Sequence, residues 1–434
     1  MSAPAEQTRK RRLLLDLSPL RESPAFRRLW LGNTLGSIGQ EMTVVTVALQ
    51  VYALTGSTFA VSLVAGIALG PMIVLGLYGG TLADRFDRRK VALTASVVSW
   101  VAIAVLAAHA VLGGTSLWLI YTAATVNSVF GTIGGITRRA IVPRLLPQHL
   151  LPAAGALNGI NMGLMATIGP LLAAAAVGAG GFQAAFLVDV LLHSAAFLGV
   201  WTLPALRPLD AVVGTSLQAI RDGLGFLRRA HNVRFSLQLD LIAMALAQPR
   251  VLFPALGAVT LGGGVATVGV LSAASAFGTV LASFFSGWTG SVRRQGRAIL
   301  VATYIYAVSI IAGGGVLLLA VLHPHGDEAN IAAIVGLTVT LAIGGVADSI
   351  SVIFRMTILQ AAVPDQLRGR VQSIFSLVVT GGPRVGDVVT GAVASLVTLW
   401  SPVLAGGAAM IVVIWLLSRR VPSFARYDRD DPQP

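Results

Sequence analysis

"GGTLADRFDRRK", residues 79–90, packs six charged side chains into the seven positions from Asp84 to Lys90. Only 11% of the 434 residues are charged, and this run follows directly on an apolar stretch. Gly79 and Gly80 stand just before it, where a neighbouring backbone can approach closely. Dense charge at one end of an apolar helix marks the edge of a membrane, and the rest of the chain agrees.

Soluble domains are roughly a quarter charged, whereas this chain is 55% hydrophobic with a mean hydropathy of +0.80. Apolar stretches of about 20 residues recur along it, each long enough for a ~30 Å hydrocarbon layer. They lack two-residue alternation, so helices and not barrel strands are expected. Twelve spans are predicted, at 29–53, 58–83, 91–112, 116–136, 153–178, 182–203, 235–256, 266–289, 298–322, 330–354, 371–398 and 401–418. The first 28 residues are basic and carry no long apolar core, so no cleavable signal peptide is expected. With no cysteine, disulfides and thiolate metal sites are excluded.

The basic residues test the count. With both termini cytoplasmic, 29 of the 31 Lys and Arg fall in the tails and cytoplasmic connections. The other two, Arg250 and Arg384, lie inside spans, and none falls in an outer loop, as the positive-inside rule requires. The net charge of +13 then answers to topology and anionic membrane lipids, not to nucleic acid.

The longest polar connection, 204–234, separates the spans six and six. The chain thus reads as a basic tail (1–28), a six-helix bundle (29–203), a central loop (204–234), a second bundle (235–418) and a tail (419–434). In the loop Leu217, Ile220, Leu224 and Leu227 recur at helical spacing, as in an amphipathic helix on the membrane face or a solvated linker helix. The halves echo one another. "RRAIVPRLLPQHL" from Arg138 aligns with "RMTILQAAVPDQL" from Arg355, matching Ile141 to Ile358, Pro147 to Pro364 and Leu150 to Leu367. "SGWTGSVRRQGR", 286–297, echoes the opening stretch but has Ser291 where Asp84 would align. Duplicated halves are a transporter architecture, with a site between them near the midplane.

The order Gly80, Leu82, Ala83, Asp84, Arg85, Arg88, Arg89 resembles the stretch between the second and third helices of the major facilitator superfamily. Its form there is Gly-x-Leu-Ala-Asp-Arg-x-Gly-Arg-Arg/Lys, and Asp87 replaces the second glycine. Within that superfamily "LLLDLSPLRESPAFRRLWLGN" (13–33), "RVLFPAL" (250–256), "TILQAAVPDQLRGRV" (357–371) and "GDVVTGAVASL" (386–396) resemble the enterobactin-exporter branch of the drug:proton antiporters. The resemblance implies an all-helical fold of two pseudo-symmetric six-helix bundles, acting as a monomer in the bacterial inner membrane. It also implies that Asp84 meets the start of span 11 across the interface. A carboxylate at a helix N-terminus gains ~0.3–2 kcal/mol. Gly80, Asp84, Arg85, Arg88 and Arg89 would then latch the cytoplasmic side, with a topological anchor as the plainer reading.

Ionisable residues deep in spans are functional candidates. Glu41, ~18 Å from the inner end of span 1 at 1.5 Å per residue, is either a proton-coupling carboxylate or a hydrogen-bonded structural acid beside Gln40. Arg384 and Asp387, three apart in span 11, form an internal ion pair, or Asp387 titrates and frees Arg384 for an anion. Arg250, between Pro249 and Pro254, suits an acidic or catecholate ligand in the cavity, or else snorkels or meets a carbonyl. Asp189, four before His193 in span 6, is a further cavity candidate. A two-ligand metal site there has nothing converging on it, and a hydrogen-bonded pair is the reading taken. Asp240, Asp348, Arg138 and Arg355, near the cytoplasmic ends, are gate candidates or hydrated groups. "GLMATIGP" (163–170) resembles a drug-antiporter packing motif, with Pro170 as a simple kink the alternative.

No nucleophile–base cluster suggests an enzyme. The only lysines, Lys10 and Lys90, sit in no phosphate-binding loop, so no ATP site and no cofactor are expected. An ion gradient would drive a small-molecule substrate. Siderophore export by proton antiport is favoured over broad multidrug efflux, and a non-transporting sensor or scaffold is the rival of a different class.

Overall fold

The computed structural model describes residues 16–204, 206, 216–324 and 328–430, giving only the backbone at 75–85, 198, 216–220, 365–366, 368–369 and 373. The long elements are helices: α1 (Pro24–Thr55), α2 (Thr58–Arg85), α3 (Arg88–Val111), α4 (Leu117–Leu145), α5 (Leu151–Trp201), α6 (Ser216–Arg229) and α7 (His231–Leu246). After a broken segment come α8 (Gly264–Phe284), α9 (Gln295–Leu322), α10 (Ile331–Ala362), α11 (Asp365–Leu396) and α12 (Ser401–Arg420). Among the described residues, eight helical stretches are long and apolar enough to cross a membrane. α1 and α11 are not among the eight. Their polar load is the reason: Asn33, Gln40, Glu41 and Gln50 on one, Thr380, Arg384, Asp387 and Thr390 on the other.

Local chemistry sets the ends. Ser23 caps α1 by accepting the Phe26 N–H at 3.2 Å, with Pro24 at the first helical position. Gly56 ends it in the left-handed region at φ 62°. α5 is one run over the expected spans 5 and 6, broken at Gly180 and Gly181, the latter at φ 72°. The expected span 8 (266–289) is shorter as an α-helix: α8 stops at Phe284, and Ser286–Ser291 forms a 3₁₀ turn.

The sequence echo has a matching shape. Ile141 and Ile358 are both fully buried. Pro147 and Pro364 each start a tight turn, closed by Leu150 N–H to the Pro147 carbonyl (3.0 Å) and by Leu367 N–H to the Pro364 carbonyl (2.9 Å). The α2–α3 turn is strapped by chain after α5: Arg88 N–H donates to the Leu206 carbonyl, Leu206 N–H to Asp87 Oδ1 (both 3.1 Å), and Arg89 to the Trp201 carbonyl at 2.7 Å. Asp87 also caps α3 through Arg89 N–H at 2.9 Å, work a glycine cannot do. The α8–α9 turn is strapped by chain after α12. Arg293 pairs with Asp428 (3.2 Å) and Asp430 (3.1 Å), and Arg429 N–H donates to the Arg293 carbonyl at 2.9 Å. The acid missing at Ser291 is thus answered by carboxylates from the tail.

In the central loop, Leu227 of α6 is buried and Leu224 is exposed. The helix docks on α11, where Asp222 pairs with Arg370 at 2.8 Å and Gly223 lies against Ile374. The side chains of Leu217 and Ile220 lie outside the described residues.

Candidate functional site

The break after α7 is where the site begins. Pro249 removes a backbone donor and disfavours helical geometry at the preceding residue. Gln248 accordingly takes φ −110° and ψ 89°, and the chain continues as a 3₁₀ turn over Pro249–Leu252 and a π-turn over Leu256–Thr260. The freed Ala247 carbonyl accepts the Tyr306 hydroxyl at 2.8 Å. This turn holds Arg250 over a cavity of about 280 Å³.

Glu41, from α1, forms an ion pair with Arg250 there. Gly169 of α5 makes room for it, since a Cβ at that position would lie 2.7 Å from the Glu41 Cβ. On α11, Gly386 packs against the Met244 carbonyl, where a Cβ would come within 2.2 Å. That close approach beside the break sets Asp387 on the cavity wall, near enough to feel the charges of both Arg250 and Arg384. Arg384 donates to Ser128 Oγ of α4 at 2.6 Å. Gln40, Thr43, Asn127 and Ser128 add to the polar wall, and valines and alanines of α1 and α2 supply much of the apolar one, with Phe253 and Pro254 from the broken segment. Two carboxylates and two guanidiniums therefore converge on one space from α1, the broken segment and α11.

Several sequence expectations are corrected. Among the described residues Arg384 and Asp387 share the cavity without a direct ion pair, and the guanidinium donates to Ser128 instead. Asp189 does not line the cavity. It is fully buried behind it, accepting the Thr43 hydroxyl and lying 2.7 Å from His193 Nδ1, with Gly39 packed against it. Three of the four gate candidates meet, and Arg138 stands apart from them. Arg355 lies between Asp240 (2.5 Å) and Asp348 (3.2 Å). Arg138 instead donates to Ser96 Oγ at 2.6 Å and Asn33 Oδ1 at 3.3 Å. Around the latch, Arg88 donates to the Ala140 carbonyl at 2.9 Å. The surroundings of Gly80, Asp84 and Arg85 lie outside the described residues. Sequence reading missed Ser128 and Asn127, whose signal was an amide and a hydroxyl side by side in the middle of the predicted span 116–136.

A family profile described as transmembrane secretion effector matches residues 15–433. The chain is 27% identical over 424 residues to the enterobactin exporter EntS of Citrobacter koseri, covering 97% of each. It is 28% identical over 425 residues to EntS of Shigella boydii and of Escherichia coli, covering 98% of each. Among solved structures it resembles the nucleoside transporter NupG (TM-score 0.68, 15% identity, 90% of this chain and 98% of that one). It also resembles a D-xylose–proton symporter (TM-score 0.67, 14% identity, 90% and 97%). These likenesses put the chain among multi-pass transporters of the bacterial inner membrane and not among enzymes.

Proposed function

The chain belongs to the transmembrane secretion effector family of the major facilitator superfamily, and from that premise we propose that it exports a catechol-bearing siderophore in exchange for protons. The observation that carries this reading is the convergence of Glu41, Arg250, Arg384 and Asp387 on one cavity.

Antiport requires that substrate and proton do not load together, and competition for the same groups is the most direct way to ensure it. If a proton on Asp387 only freed an arginine for an anion, the two would bind together, and coupling would have the sign of symport. In direct competition the carboxylates receive the substrate themselves. A catechol does this. Its hydroxyls donate to Glu41 or Asp387, while its oxygens and the neighbouring amide carbonyls accept from Arg250 and Arg384. Binding then needs the carboxylates deprotonated, and reprotonation ejects the ligand. The names of the relatives point to the same class of substrate.

We read the architecture as twelve spans in two six-helix bundles with both termini cytoplasmic, working by alternating access as a monomer without ATP or cofactor. Closely packed glycines support rigid-body motion of this kind, and Thr58 of α2 joins the two halves by donating to the Gly391 carbonyl of α11 at 3.1 Å.

A second reading, broad efflux of lipophilic cations, is favoured by the same two carboxylates facing an apolar wall. Inverted vesicles separate the two. Uptake of an iron-free catecholate siderophore that collapses with the pH gradient supports the proposal, and gradient-driven uptake of a lipophilic cation alone supports the rival.

A further inference from the structure

A second and larger cavity, about 530 Å³, opens on the outer flank between α9 and α10. Its floor and walls are aliphatic, with Val301, Ile305 and Ile343 each about half-exposed (50%, 46% and 46%). Its mouth is different. Arg294 and Arg297, both exposed, sit at the start of α9 three positions apart and line the same opening. Arg297, Val301 and Ile305 follow at four-residue steps, so one face of the helix passes from guanidinium to hydrocarbon over about 12 Å.

The charge at this mouth is not spent internally. Arg293 takes the tail carboxylates. Among the described residues neither Arg294 nor Arg297 forms a direct ion pair, although Arg294 stands close enough to Asp428 to feel its charge. Trp288 forms the rim, resting edge-on against Phe354 with ring centroids 6.1 Å apart. Tryptophan gathers at the membrane–water boundary, which sets the mouth at headgroup depth and the aliphatic groove below it, in the acyl layer.

We propose that this groove seats one anionic diacyl phospholipid, its phosphate held by Arg294 and Arg297 and one acyl chain laid along Val301 and Ile305. The site is independent of the transport cavity. It joins the lipid to the turn that the tail straps, so a bound lipid and the tail hold the same corner of the protein.

The test uses the purified full-length chain, delipidated in neutral detergent and titrated with phosphatidylglycerol or phosphatidylcholine. Native mass spectrometry counts retained lipid, and thermal melting reads the stabilisation. One phosphatidylglycerol is expected to be retained in preference to phosphatidylcholine. Arg294→Gln/Arg297→Gln is expected to weaken it about thirtyfold, the size set by two arginines at an anionic surface. Val301→Trp, which fills the groove and keeps both arginines, is expected to lose the lipid as well. Arg419→Gln/Arg420→Gln is expected to retain it. Comparison of lipid-free melting temperatures separates lost binding from lost folding. Equal retention of phosphatidylglycerol by the Arg294/Arg297 variant overturns the proposal. So does equal binding of phosphatidylcholine, or the same stabilisation by glycerol phosphate alone.

Discussion

Glu41 and Arg250, 209 positions apart in the chain, close an ion pair across the cavity, one from α1 and one from the broken segment after α7. Asp387 stands within reach of the same guanidinium's field. The pair is partly open to the cavity, with the Arg250 side chain 40% and that of Glu41 15% exposed, so a ligand can enter it.

Glu41→Gln and Arg250→Gln are each expected to weaken substrate binding, and the double variant to do little more than either alone. A double-mutant cycle on substrate affinity should return a coupling of about 1–3 kcal/mol. Additive losses would show that the two residues act separately.

Arg355 lines neither cavity. It is buried between Asp240, also buried, and Asp348, which is 41% exposed. Arg355→Met leaves Asp240 uncompensated and is expected to cost about 3–5 kcal/mol, read as a fall in melting temperature in detergent. Asp348→Asn, at the wetter end, is expected to cost well under half of that.

The α8–α10 contact depends on two glycines placed reciprocally. A Cβ at Gly278 would lie 2.0 Å from the Ala342 carbonyl, and one at Gly345 2.0 Å from the Ser275 carbonyl. Gly278→Ala or Gly345→Ala is expected to destabilise by about 1–3 kcal/mol. Gly155→Ala, with open space around it, is expected to be neutral or to stabilise by up to about 1 kcal/mol. Equal effects at the three sites would remove the packing argument.

The tail strap carries a pH dependence. The Asp430 backbone N–H, and after it the Arg293 guanidinium, hold the Asp428 carboxyl below its usual range. A lowered value means that the contact is fully present above the ordinary aspartate value of about 3.9 and is lost as pH falls through the lowered one. The native chain has no cysteine, so fluorophores on Gly287→Cys and Arg426→Cys report the strap alone. Their proximity should persist from neutral pH to about 4 and fail below, and Arg293→Gln should move the loss upward.

Much of this was legible in the residues. Helix placement followed from apolar length, and the half-to-half echo from Arg138, Pro147, Arg355 and Pro364 reappears as two like turns. The identity of the cavity charges was legible too, because Glu41, Arg250, Arg384 and Asp387 are costly in an apolar span wherever they face. Their pairing was not. Spacing along α11 suggested Arg384 with Asp387, yet the guanidinium reaches Ser128 on α4, a contact that depends on how two distant helices pack. Asp189 misled for the same reason: depth in a span does not say which side of the helix meets the cavity. Asn33 and Asp240 occupy like places in their halves, and only the fold reveals that one arginine is held by a neutral amide and the other by an acid.

The sign of proton movement on substrate binding tests the central claim most directly. Purified protein in weakly buffered solution at neutral pH is mixed with an iron-free catecholate siderophore while a pH indicator is followed. The account expects protons to be released on binding, with release reduced in Asp387→Asn. Proton uptake, or the same release from both proteins, would contradict competition at this carboxylate and with it the proposed antiport.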